Sequence, residues 1–123
     1  MLVMKFGGTS MGSAGRMCNS VDIMRGRSSK DRLGVIVSAV GGVSTRLQDS
    51  IAVAMRSFST ATESMQTFTT TTSETVNSVK NTHDVIIGEL ATAVRGFRTE
   101  TVQAALAPLY AEYERLLSAV ASF

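Results

Sequence analysis

Leu2-Val3-Met4-Lys5-Phe6-Gly7-Gly8-Thr9-Ser10 puts five residues of strand character directly before a glycine pair. A short apolar run stopped by two consecutive glycines predicts a buried strand entering a tight turn. Ser13 then has the place of an N-cap. Behind it Ala14, Met17, Val21 and Met24 recur at helical spacing, with Asp22 and Arg25 off that stripe. The helix is expected to run to about Arg27, with Ser28, Ser29, Lys30 and Asp31 as the loop after it. Leu33 to Ala39 follows, and its unbroken Val35-Ile36-Val37 is the pattern of a strand buried on both faces, as in a parallel sheet. Strand, helix and strand in this order make a βαβ unit with a right-handed crossover. The fold class read from the sequence is therefore α/β.

A second glycine loop, Gly41-Gly42, leads into a helix expected from about Thr45 to Phe58. Residues 59–73 are rich in Thr and Ser and read as a loop, with Thr71 and Glu74 at capping-box spacing to start the next helix. Val76, Val79, His83, Ile86 and Leu90 continue a helical stripe, weakened at Gly88 and broken near Gly96. A last helix is expected from about Thr99 to Ala121, with Pro108 as a kink point. Met and aromatic residues within these stripes read as core.

Composition narrows the function classes. Hydrophobic residues make up 44% and charged residues 18%, which is a globular balance rather than a disordered one. A net charge of +2 argues against nucleic acid or an anionic membrane as partner. The cluster Arg25, Arg27, Lys30, Arg32 has no interleaved aromatics and reads as a solvated helix end. Cys18 has no partner for an internal disulfide, and neither it nor His83 has metal-ligand spacing around it, so no metal site is expected. No apolar run approaches the length that spans a bilayer and no signal-peptide pattern is present, so the expected compartment is the cytoplasm.

The chemistry sits in the two glycine loops, each after a strand and before a helix, where open α/β sheets bind ligands. In the first, Gly7 and Gly8 remove two Cβ atoms, so backbone N–H groups can approach an oxyanion. Lys5 adds a compact positive charge, and Thr9 and Ser10 add hydroxyls. A phosphate cradle and a plain tight turn with a surface lysine are both open on this chemistry. Gly7 and Gly12 have P-loop spacing, but Ser13-Ala14 stands where Lys-Ser/Thr is needed, and no G-x-G-x-x-G occurs. The second loop, Val37-Ser38-Ala39-Val40-Gly41-Gly42-Val43-Ser44-Thr45, suits either a small anionic ligand or a helix capped by Ser44.

Taken as a pair, Lys5-Phe6-Gly7-Gly8-Thr9-Ser10 and the later Val37-Ser38-Ala39-Val40-Gly41-Gly42-Val43 resemble the amino-acid kinase family, aspartokinases in particular. The close match covers residues 1–47. The resemblance implies the N-terminal part of a three-layer αβα kinase fold with a mainly parallel sheet, followed by long helices, across residues 1–123. It implies ATP-dependent phosphorylation of the L-aspartate side-chain carboxylate, the first step toward lysine, threonine and methionine. Carried over by motif position, Lys5, Gly7 and Gly8 contact the ATP phosphates, with Lys5 catalytic and Ser10 secondary, while Ser38 and Ser44 hold aspartate. Mg²⁺ arrives with the nucleotide. The family usually has Thr where Ser44 stands and Asp or Asn where Thr45 stands, which puts the strength of substrate binding in question.

The family's later Arg-Gly-Glu-type substrate segment and Thr-Asp-Val-Asp-Gly-Val-Tyr-type nucleotide segment have no counterpart in these residues. The domain is therefore expected to be incomplete at its C-terminus and inactive alone, as a homo-oligomer or in association with the remaining part of the domain. The alternatives are a non-catalytic remnant or helical interaction module, and an amino-acid kinase of other specificity.

Overall fold

The structure is a computed structural model; it describes the backbone of residues 1–59 and 65–122 and the side chains of residues 1–56 and 73–120. The chain is mixed α/β, mostly helical, with one small parallel sheet. Its elements are β1 (Leu2–Phe6), α1 (Ala14–Ser28), β2 (Leu33–Val37), α2 (Val43–Ser59), α3 (Met65–Ala93) and α4 (Thr99–Ser122). The β1-α1-β2 unit is as the punctuated apolar runs predict. The strands pair in parallel from Leu2 opposite Leu33 to Phe6 opposite Val37. Ser13 caps α1, its Oγ accepting from the Arg16 N–H at 3.4 Å.

Four expectations change. Val35, Ile36 and Val37 are 41%, 54% and 58% exposed, so β2 is not buried on both faces. Among the described residues the sheet is two strands wide, and α1, which packs on β2, also packs on α3. The face carrying Val3 and Ile36 has no cover among the described residues. Val21, on the expected apolar stripe of α1, is exposed for the same want of a neighbour. Ser44 does not cap α2. Gly42, at φ +79°, turns the chain early enough for Val43 to be the first helical residue, and the Arg46 N–H donates to the Gly42 carbonyl at 3.1 Å. The backbone from Met65 is already helical, so the Thr-rich stretch belongs mostly to α3 rather than to a loop; the Thr71 side chain lies outside the described residues.

The firmest packing joins α2, α3 and α4 around Ala54, Val76 and Leu117, with Tyr110 and Tyr113 against them. Ser50, itself buried, meets the Tyr113 hydroxyl at 2.6 Å, and that hydroxyl donates to the Leu47 carbonyl at 2.8 Å. These bonds satisfy the polar groups that the helix interface covers. Helix α4 runs through Pro108 without a break. Gly96, at φ +80°, lies in the turn between α3 and α4. Among the described residues no helix is long and apolar enough to cross a membrane.

His83 is structural. Its Nδ1 lies 2.6 Å from the Tyr110 hydroxyl and the two rings stack at 6.0 Å, joining α3 to α4. Burial pushes its pKa below the ordinary 6.5; Asp84 opposes that shift and Arg46 adds to it. A depressed folded-state pKa means the unfolded chain takes up the proton first. The neutral ring's contribution is therefore complete above the unfolded value and is lost as pH falls through the folded one. Thermal melts at stepped pH are expected to show stability falling on acidification below about 6.5. In His83→Gln that part of the slope disappears, and an unchanged slope in the variant would assign it to other groups.

Candidate functional site

The two glycine loops leave the carboxyl ends of neighbouring parallel strands, so the sheet register alone brings them side by side. The Ser38 N–H donates to the Phe6 carbonyl at 2.9 Å, carrying the pairing one step past β2 and into the loops. Beyond it the backbones approach closely. A Cβ on Gly8 would stand 3.7 Å from Ser38 Oγ and 3.8 Å from Gly41 Cα, and a Cβ on Gly41 would stand 3.3 Å from the Gly8 carbonyl oxygen. The paired glycines therefore serve the contact between the loops as well as the turns.

Buried apolar residues hold both loops at their bases. Phe6 precedes the first, Met11 sits within it, and Ala14 and Val43 follow the first and second respectively. Inside the first loop the Ser10, Met11 and Gly12 N–H groups donate back to the carbonyls of Gly7, Gly8 and Thr9. The Gly8 and Thr9 N–H groups have no acceptor among the described residues, and neither do those of Gly41, Gly42, Ser44 and Thr45. Donors without an acceptor on two adjoining loops are what an oxyanion requires.

Of the residues that the sequence pattern singles out, Gly7, Gly8 and Ser10 share the first loop, and Ser38 touches it from the second. Ser38 and Ser44 are both exposed, and Ser44 sits in the first turn of α2. Lys5 is exposed on the open sheet face, opposite Ile36 in the register. Neither Lys5 nor Ser44 bonds to the other loop among the described residues. No group of three or more His, Cys, Asp or Glu side chains there could hold a metal ion.

Three charged residues at the loops escape sequence reading. Arg16 Nη1 donates to the Thr9 carbonyl at 3.1 Å, placing a guanidinium on the first loop. Arg46 does the equivalent on the second, its Nε donating to the Gly42 carbonyl at 3.4 Å. Glu89, from α3, accepts from the Ala14 N–H at 3.4 Å and so puts a carboxylate at the N-terminus of α1. That carboxylate already takes the place an anion would have on α1, leaving the free N–H groups of the loop itself for any phosphate. In sequence the only signal is that each arginine stands four residues beyond a loop glycine, Gly12 or Gly42, and nothing local marks Glu89.

No protein-family model matches the chain, and no curated protein matches it.

Proposed function

We propose that this chain forms the N-terminal part of an aspartokinase domain and takes part in transferring the γ-phosphoryl group of ATP to the side-chain carboxylate of L-aspartate. The observation that carries the reading is the contact of the two loops at Gly8, Ser38 and Gly41, with unpaired N–H groups on both sides of it. The Lys-Phe-Gly-Gly-Thr-Ser and Val-Ser-Ala-Val-Gly-Gly-Val wording of those loops adds the choice of substrate.

The roles follow from the chemistry. The aspartate carboxylate is ionised at neutral pH, so it attacks the γ-phosphorus without a general base. A carboxylate oxygen–phosphorus bond forms as the bond to the β–γ bridging oxygen breaks, and ADP leaves. Catalysis then consists of positioning and charge stabilisation. Lys5 and the Gly7-Gly8 loop hold the phosphates, Ser10 assists, and Mg²⁺ enters on the nucleotide. Ser38 and Ser44 offer hydroxyls to aspartate.

The test is aspartate-dependent ADP release, with mass-spectrometric detection of aspartyl phosphate, by a complete kinase carrying this N-terminus. Ser38→Ala or Ser44→Ala is expected to raise the aspartate KM about tenfold with little change in the ATP KM. A selective loss of ATP affinity would exchange the two loops' roles, and a complete protein that forms no aspartyl phosphate removes the reading.

A further inference from the structure

We infer that a cavity between α2, α3 and α4 is a binding site for a small uncharged molecule built on one aromatic ring; it stands independently of the kinase reading. The cavity holds about 210 Å³. Val43 and Leu47 wall it from α2, Val76 and Val79 from α3, and Leu106 and Leu109 from α4. Val43, Val76 and Val79 are each 4% exposed, so this part of the wall belongs to the packed interior. Leu109 is 63% exposed, which places the opening of the cavity beside it. A guest thus has an entrance at the surface and a floor in the core.

Size and chemistry select the guest. Protein interiors leave few voids larger than a water molecule, so a space of this size among three helices is not routine packing. An apolar cavity of about 150 Å³ stays dry and takes up benzene, so the larger one here admits a ring with one small substituent. The rest of the wall is three rings, His83, Tyr110 and Tyr113. Both hydroxyls are already occupied. That of Tyr110 lies 2.6 Å from His83 Nδ1, and that of Tyr113 donates to the Leu47 carbonyl at 2.8 Å. Burial lowers the His83 pKa from its ordinary 6.5, so that ring is neutral at pH 7. Among the described residues no buried side-chain nitrogen or oxygen lacks a hydrogen-bond partner. The wall therefore holds no buried polar atom in need of a guest, and a charged guest would lose its hydration without return. Three rings in the wall favour an aromatic guest over a saturated one of the same size.

The chain itself is titrated by NMR with toluene, methylcyclohexane (which lacks the aromatic faces) and benzoate (which adds a charge). Toluene is expected to shift the methyl signals of Val43, Val76 and Val79 and to give intermolecular NOEs to them. Its preference over methylcyclohexane is expected to be about three- to tenfold, and benzoate leaves those methyls unmoved. At about five times its Kd, toluene raises the melting temperature by about 4–8 °C. Val79→Phe puts a ring into the space and weakens toluene binding at least about tenfold. Leu106→Phe, at a half-buried wall position, serves if that variant fails to fold. Val85→Phe, at a position of α3 that is 61% exposed and outside the cavity wall, leaves the affinity within about twofold. The inference is overturned if toluene leaves the three valines unmoved, or if methylcyclohexane or benzoate binds as well as toluene does. Full toluene affinity in a folded Val79→Phe or Leu106→Phe chain overturns it too, since binding would then lie elsewhere on the surface. None of these outcomes bears on phosphoryl transfer.

Discussion

Replacing Lys5 by Ala in a complete kinase that carries this N-terminus is expected to lower turnover at least about a hundredfold, close to 2.7 kcal/mol of transition-state stabilisation. The size follows from what phosphoryl transfer asks of a protein. There is little covalent chemistry to assist, so a fixed charge on the transferring oxygens is a large share of the contribution. The substitution is also clean. Lys5 is exposed and makes no hydrogen bond or ion pair among the described residues, and the β1–β2 pairing uses only its backbone. Loss of strand stability should stay within about 1 kcal/mol. Steady-state ADP release measures the first quantity and a thermal melt the second. A folded Lys5→Ala enzyme with near-normal turnover would remove Lys5 from the phosphate site. Arg at this position would not stand in, since its planar fork differs from a compact ammonium.

The parts of the fold legible in the sequence are those set by near neighbours. Two glycine pairs and the Ser13 cap mark out β1, α1 and the start of α2, and each appears within two residues of its expected bounds. Burial of β2 was not legible in the same way. Val35-Ile36-Val37 states that the strand tolerates cover on both faces, whereas cover itself depends on how many layers pack there. Here, among the described residues, a two-stranded sheet leaves those residues exposed. The start of α3 was misplaced for a different reason. A Thr-rich stretch has low helix propensity, and packing further along the same helix, at Val76 and Val79, overrides it.

The candidate site divides along the same line. Its backbone was readable, because glycine pairs at strand ends have a local cause. Its charges were not. Arg46 is fixed by Ser78 and Thr82, 32 and 36 residues away, and Glu89 reaches Ala14 across 75. Nothing in the sequence at positions 46 or 89 distinguishes these side chains from any other charge on a helix. Only the packing of α3 against α1 and α2 gives them a place at the loops.

Gly41→Val tests whether the contact between the loops is what makes a site of them. A Cβ at this position would lie 3.3 Å from the Gly8 carbonyl oxygen and 3.8 Å from Gly12 Cα, and both neighbours are backbone, which cannot rotate aside as a side chain can. Gly41 does not have a positive φ, so the penalty comes from close approach and not from an unfavourable dihedral. Valine adds two further methyl groups, and the loops are expected to move apart at a cost of about 2 kcal/mol, the usual range for overpacking. Gly15→Ala is the matched control. It lies within α1 with nothing near its Cβ position, so alanine should stabilise the helix by about 0.5–1 kcal/mol. The expected signature in binding titrations of the chain is a joint loss: Gly41→Val weakens ATP and L-aspartate together, whereas Ser38→Ala affects aspartate alone. The joint loss is expected because the first and second loops position each other through the Gly8–Gly41 approach. Wild-type affinity for both ligands in a folded Gly41→Val chain would mean that the loops act independently. The two strands would then bring them together without building a shared site.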